Sequence, residues 1–301
     1  MLYRIYDILA GYAARIYGKL VHLLYVRPVL SGINEQASVL EIGAGYNPHF
    51  TKDRFPNVFH LDHATADELR AKYASDQHVG HLTDRIQNVD FVSDGSPIED
   101  LIPPELRFDI VFSSHSLEHQ IDLIGHLRSI EKLLAPGGRL LLILPDYRCS
   151  FDVFRYPTVT SDAILVHRDP GKVHRGKQIF DHMTRTVDIN PIRRLRAPDK
   201  SAAKFNYPLA AGIDALDNAE KEEARYEDAH AWVFSPASFR LLLLELYMLG
   251  FIRLKVESIS PTYKNQFFVV LQLCEDSESP SAEKIAEMET ERLKLIKMAR
   301  R

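Results

Sequence analysis

The stretch VLEIGAGYNP at residues 39–48 decides how the rest of the chain is read. A mostly apolar run, Val39 to Ile42 with Glu41 inside it, breaks at Gly43, Ala44 and Gly45. That is the pattern of a short buried strand ending in a tight turn whose bare backbone a ligand can approach. A nucleotide pyrophosphate loop needs a third glycine, in the order G-x-G-x-x-G, so that the following helix can pack close. Pro48 stands in that place. Glu41, two residues ahead of Gly43, would also repel a phosphate. The loop therefore favours a positively charged ligand without phosphate, held at the carboxyl ends of parallel strands.

From Ser38 onward, apolar runs at 39–42, 58–61, 89–92, 108–113 and 139–144 alternate with segments of helical period at 64–73 and 119–134. This alternation predicts right-handed βαβ crossovers and a parallel sheet. The APGG at 135–138 predicts a stop between the last helix and the fifth strand. The rhythm is lost over 146–230, which reads as an insertion rich in His, Arg, Asp and Pro. It returns at SPASFRLLLLELYMLGF, with a serine cap, Pro236 at the first helical position and Gly250 at the stop. Strand-like runs at 252–258 and 266–273 follow.

Three units are expected: a helical cap at 1–37, a main domain at 38–274 containing the insertion, and a charged linker and helix at 275–301. In the cap, Leu2, Tyr6, Leu9, Ala13, Tyr17 and Leu20 repeat at helical spacing between Arg4, Asp7, Arg15 and Lys19. Such helices either cover the core or lie on a membrane surface. The tail reads as a solvated or coiled-coil arm, and it or the cap is a candidate contact for a partner protein.

The 301 residues are 46% hydrophobic, enough for one large α/β unit with additions. Thirty-seven basic against 41 acidic residues give a formal net charge of −4, so nucleic acid is not an expected partner. Cys149 and Cys274 form neither a C-x-x-C pair nor a disulfide framework, and no secretory signal is visible, so the chain reads as cytoplasmic. Its apolar runs are too short or too interrupted by charge to span a bilayer.

Further motifs follow the glycine loop in order: VFHLDH ending at His63, FVSDG at 91–95, FDIVFSSHSLEH at 108–119 and LLAPGGRLLLILPD at 133–146. Together they resemble class I S-adenosylmethionine-dependent methyltransferases over roughly 38–145 and more weakly 230–273. The resemblance implies a Rossmann-like sheet of seven strands, mostly parallel with the last antiparallel, and S-adenosylmethionine as cofactor. It implies that Glu41, Gly43, Ala44 and Gly45, with Ser113, Ser114 and His115, hold the amino-acid end. Asp62 is implied for the ribose, with His63, Asp94 and Gly95 around the adenine. The chemistry agrees, because a sulfonium leaving group departs neutral and the protein mainly aligns donor and acceptor and excludes water.

A rival pattern overlaps the fourth strand's end. His115, Glu118 and His119 fit the H-x-x-E-H of certain zinc peptidases. His115 directly follows an apolar strand, however, and methyltransferase-like motifs surround it, so an orienting or packing role is expected and no metal.

The acceptor platform is expected in the insertion. Residues 168–200 carry nine Lys or Arg against four Asp, with His174 and His182, and would attract an anionic acceptor, unless the acidic stretch at 214–228 balances them. LPDYRCSFDVFRYPT followed by HAWVFS at 230–235 also resembles bacterial methyltransferases of polysaccharide and glycan assembly, which implies O-methylation of a saccharide or saccharide-linked acceptor. A small metabolite such as a phenolic precursor, or a non-catalytic cofactor-binding scaffold, are the alternatives. Methylation of a hydroxyl is helped by a base near neutral pH, for which His119, His182 and His230 are candidates, with Asp146 as orienter or alternative base. Asp146 and Asp181 also have the chemistry to hold a divalent ion, though nothing in their spacing demands one.

Overall fold

The structure, a computed structural model, describes residues 17, 19–77, 79–188, 203–221, 223–274 and 281–299. The expected helical positions Leu2, Tyr6, Leu9 and Ala13, and 189–200 of the basic stretch, lie outside the described residues. The strands are β1 (Val39–Ile42), β2 (Val58–Asp62), β3 (Phe91–Val92), β4 (Phe108–Ser114), β5 (Leu134–Pro145), β6 (Val187–Asp188), β7 (Lys204–Phe205), β8 (Leu254–Ile259) and β9 (Gln266–Leu273). Seven of them form one sheet in the order β3-β2-β1-β4-β5-β9-β8. The first five run parallel, and β9 is antiparallel to both β5 and β8. This is the expected sheet.

The α-helices are α1 (Arg27–Ser31), α2 (Ala66–Ala74), α3 (Leu123–Leu133), α4 (Thr160–Arg168), α5 (Lys177–Arg185), α6 (Ala211–Ala219), α7 (Pro236–Met248) and α8 (Ala282–Ala299). Period-two alternation in the strands gives the sheet two apolar faces. Leu40, Ile42, Val111, Leu142 and Val269 lie on one, packed under Leu123, Ile124, Leu127 and Ile130 of α3 and Phe239, Leu242 and Leu246 of α7. Val39, Ile110, Phe112, Leu141 and Val270 lie on the other, where Val26, Val29, Leu30 and Ile33 cover them. Of the described N-terminal residues, Val26 to Ile33 thus cover part of this face, while Tyr17, Leu20, Leu23 and Leu24 are exposed. Among the described residues no helix is long and apolar enough to cross a membrane.

Local chemistry sets the helix ends. Thr65 and Glu68 close a capping box on α2, Asp122 accepts the Gly125 N–H at the start of α3, and Ser235 accepts the Ser238 N–H at the start of α7. Two elements differ from expectation. β5 begins at Leu134 rather than after the APGG: Leu134 pairs with Phe108, the intervening residues bulge with Gly137 at φ +72, and pairing resumes at Arg139 with Ile110. The C-terminal helix is expected to be a solvated or coiled-coil arm, and it is not solvated on all sides. Instead α8 docks on α7, because Met288 and Leu295, two turns apart, share one buried face, flanked by Arg292–Glu245 and Arg240–Glu291 pairs.

Phe239 is fully buried with its ring 4.8 Å from Phe234 and 6.2 Å from Phe267. Phe239→Ala should cost about 3–5 kcal/mol in urea unfolding; a loss below about 1 kcal/mol would mean that α7 does not pack as described.

Candidate active site

The chain order reverses between β1 and β4: β2 and β3 build outward on one side, and β4 and β5 on the other. Loops leaving the carboxyl ends of β1 and β4 therefore diverge and leave a crevice, the place where open α/β sheets bind ligands. The glycine turn follows β1 and the segment 115–121 follows β4.

Gly43 and Gly45 both take positive φ, +70 and +48. A side chain at Gly43 would meet Ser116 at 3.2 Å, whereas at Gly45 the nearest atom is the Tyr73 hydroxyl at 4.0 Å. Gly43 is thus needed for the crossing of two loops, and Gly45 leaves its backbone open. Glu41 lies beneath, 1% exposed. Its carboxylate accepts the N–H groups of His49 (2.8 Å) and Phe50 (3.0 Å), with His49 Nδ1 at 3.5 Å and His60 Nε2 at 3.4 Å. Burial alone would push this carboxyl up, but contacts with His49, His60 and the two amides outweigh it and hold the group below its ordinary value. Its geometric role is therefore to clip residues 49–50 under the turn, in place of the expected contact with the amino-acid end, because both of its oxygens are engaged and it is buried.

Asp62 ends β2. Its Oδ2 accepts the Gly45 N–H (3.0 Å) and its Oδ1 accepts the His63 N–H (2.8 Å). Lys72 donates to His63 Nε2 (3.0 Å), which leaves His63 Nδ1 to donate to Asp62 Oδ1 (2.7 Å). Asp94 and Gly95 follow β3, exposed, with Asp94 accepting the Ser96 N–H and open space beside Gly95. Ser113 and Ser114 close β4; Ser113 is buried and its hydroxyl has no hydrogen-bond partner. His115 turns the chain at φ +52 and its Nε2 reaches Gln266 (2.9 Å).

The turn after β4 is gripped by the insertion. Glu118 O accepts the N–H groups of Ala231 (2.8 Å) and Trp232 (3.1 Å), His174 Nε2 lies 2.8 Å from His119 O, the Trp232 indole donates to Gln120 O, and Gln178 donates to Ile121 O (2.8 Å). This brings together three candidates far apart in sequence. The His119 and His230 rings are 4.7 Å apart edge to face, and His182 Nδ1 accepts the His230 N–H (3.2 Å). Burial, with Arg155 nearby, pulls His182 down to about 4, so it is neutral and carries its proton on Nε2: a donor, not a base. His230 Nδ1 lies 2.6 Å from Asp152 Oδ2, and Arg155 balances Asp152 at 3.0 Å, so the Nε2 lone pair of His230 is left free. His119 Nδ1 lies 2.9 Å from the exposed Asp228, off the angle of a hydrogen bond. Partial burial lowers the basicity of His119, but Asp228 and Glu118 outweigh it and raise it.

Asp146 does not join them. It is fully buried, held by Arg148 through Oδ1 (3.0 Å) and Oδ2 (2.7 Å) and by the Thr262 hydroxyl. The carboxylate that orients a histidine is Asp152, six residues on, which sequence spacing could not reveal because its partner is 78 residues away. The H-x-x-E-H geometry also fails: 117–119 is a single 3-10 turn, so His115 and His119 do not share a helix face. In the basic stretch, Arg175, Lys177 and Arg185 are each paired with aspartates of the insertion. Asp181 is taken by Lys177 and Arg185. A cavity of about 730 Å³ opens inside the insertion, lined by Arg155, Thr158, Leu165, Gln178, Leu216 and Trp232 among others. No residue of the strand-end crevice lines it.

Sequence comparison settles the family. A family model described as a methyltransferase domain matches residues 11–245. The chain belongs to that family. No curated protein matches it by sequence. Among solved structures, this methyltransferase is similar to the CcbJ methyltransferase from Streptomyces caelestis, at 13% identity and a TM-score of 0.40 over 82% of this chain and 92% of that one. It is also similar to the glycopeptide N-methyltransferase MtfA in complex with S-adenosyl-L-methionine, at 14% and 0.39 over 82% and 92%. The mitomycin 7-O-methyltransferase MmcR matches at 16% and 0.38 over 84% of this chain and 54% of its own.

MtfA is solved with S-adenosyl-L-methionine bound. The strand ends fit such a group: an open backbone face at Gly45, the Asp62 carboxylate at the crevice floor, and the orphaned Ser113 hydroxyl at the end of β4.

Glu41→Gln places an amide NH₂ against backbone donors and should cost about 1–3 kcal/mol. The stability Glu41 contributes is present above its unfolded pKa of 4.5 and is lost as the pH falls through its lower folded value. Denaturation of both proteins across acid pH should show the gap closing there; a gap independent of pH would mean that the charge plays no part.

Proposed function

We propose that this S-adenosylmethionine-dependent methyltransferase O-methylates a saccharide or a saccharide-linked acceptor. The observation that carries the proposal is the convergence of His119, His182 and His230 with Asp152 beside the crevice. A hydroxyl must lose its proton to become a useful methyl acceptor, and imidazoles are suited to take it near neutral pH. An amine that is already neutral would need no such group. The walls supply polar and aromatic surfaces together: Phe151 lies 4.6 Å from the His230 ring and is 38% exposed, and Tyr226 lies 5.2 Å from His174. A sugar offers hydroxyls to the former and an apolar ring face to the latter, whereas a flat phenolic metabolite would favour a pocket without histidines and carboxylates.

Bound S-adenosylmethionine supplies an electrophilic methyl on a sulfonium. Asp62 is assigned to the ribose, Gly43, Ala44 and Gly45 with Ser113, Ser114 and His115 to the amino-acid end, and Asp94, Gly95 and His63 to the adenine. His182 donates a hydrogen bond to the acceptor, and the cluster of His119 and His230, oriented by Asp152, receives the hydroxyl proton.

Calorimetry should show binding of S-adenosylmethionine and its demethylated product, with Asp62→Ala weakening both by about 1–3 kcal/mol. Mass spectrometry of reactions with a panel of saccharide and phenolic acceptors should find methylated saccharides. Methylation confined to phenols would sink the acceptor assignment. Asp152→Asn should lower kcat far more than it weakens donor binding; unchanged kcat would remove His230 from proton transfer.

A further inference from the structure

Glu118 is fully buried, and neither of its carboxylate oxygens has a hydrogen-bond partner. Its nearest cationic candidates are His115 Nδ1 at 3.5 Å and His230 Nε2 at 3.9 Å. Among the described residues no lysine or arginine pairs with it. A carboxylate stripped of water and left in this state is costly; buried charges persist when they are paired or when they bind a metal.

What surrounds Glu118 has the character of a ligand set. One side-chain atom each from Glu118, His119 and His230 lies within 4.8 Å of the others. Donors on one ion at about 2.1 Å stand at most about 4.2 Å apart, so a small side-chain movement closes the set. His230 already has the orientation that a metal-binding imidazole requires. Its Nδ1 is held by Asp152 at 2.6 Å, which aims Nε2 at Glu118. Asp152 is itself neutralised by Arg155, so it acts as the outer carboxylate behind the histidine. The turn carrying Glu118 and His119 is pinned to the segment carrying His230 by the Ala231 and Trp232 N–H groups, which fixes the three donors relative to one another.

We infer that Glu118, His119 and His230 form a binding site for a first-row divalent cation of the zinc type. Two imidazoles and one carboxylate suit such an ion and leave further coordination positions for an oxygen ligand. This site deepens the proposed function and rests on it for the identity of that ligand, an acceptor hydroxyl; with the ion bound, His119 and His230 would hold it rather than take the proton, and the ion would lower the hydroxyl's pKa so that the proton passes to water. The ligand set is not the H-x-x-E-H pattern, since His115 stands outside it.

The test uses the full chain, stripped of metal by a chelator and dialysed. Titration with Zn²⁺ followed by calorimetry and elemental analysis should give one tightly held ion per chain, and Co²⁺ should give the visible d–d bands of a site of low coordination number. Glu118→Gln and His230→Gln should abolish both, Asp152→Asn should weaken Zn²⁺ binding by about tenfold or more, and replacement of the exposed His22 by alanine should change neither. Thermal melting checks folding, and Zn²⁺ should raise the melting temperature of the wild type alone. No stoichiometric ion in the wild type, or equal binding in folded Glu118→Gln, overturns the site. S-adenosylmethionine binding measured on the same samples separates the outcomes: if it persists while Zn²⁺ fails, only the metal site falls, and if it is absent, the function falls.

Discussion

Four successive backbone carbonyls, from Glu118 to Ile121, meet donors from His174 and Gln178 of the insertion and from Ala231 and Trp232 just after it, and the arrangement of that side of the crevice follows from those contacts. The turn after β4 has no ladder to satisfy its polar groups, and buried carbonyls without partners are costly. Trp232, 112 residues away from Gln120, meets part of this need with its indole, and its own N–H joins that of Ala231 on Glu118 O. His230 precedes these two residues, so its ring is carried to His119 by the same clamp. The insertion is therefore a structural wall of the crevice.

On the donor side the constraint is burial of charge. Glu41 and His60, each 1% exposed, lie under the glycine turn. The carboxylate fixes the amides of His49 and Phe50, while His60 Nε2 donates to the Phe50 carbonyl at 3.0 Å. A turn of two glycines at positive φ would otherwise be conformationally loose. Holding it before a ligand arrives reduces the ordering that binding must impose.

The two sides differ in electrostatic character. Around the glycine turn, charges are matched in chains such as Lys72 to His63 to Asp62. Around Glu118, among the described residues, the one permanent pair is Arg155 with Asp152, and the remaining partners are histidines. Histidine neutrality is then a local matter: His182, buried beside Arg155, stays uncharged, while His119, near Asp228 and Glu118, is pulled the other way. One cluster thus presents a hydrogen-bond donor next to groups that seek positive charge.

The parallel βαβ alternation, the turn after β1 and the cap of α7 were legible in the sequence because they depend on local periodicity and local chemistry: alternating apolar runs, the serine before Pro236, and the glycines where φ must be positive; the seven-stranded sheet with its antiparallel strand was what the family resemblance implied. The positions of Asp62, Ser114 and His115 at or just past strand ends were legible for the same reason, since the pattern defines β2 and β4. The burial of Glu41, the tie of Asp146 to Arg148, the docking of α8 and the Asp152–His230 contact were not. Each depends on side chains that meet across the fold, and an insertion without periodicity leaves no spacing from which such meetings can be inferred. The amino-acid order alone determined that a parallel strand ends in a glycine turn where loops can diverge; only the tertiary structure decided which carboxylates and imidazoles meet there, because partners in a buried polar network are chosen by proximity in space and not along the chain.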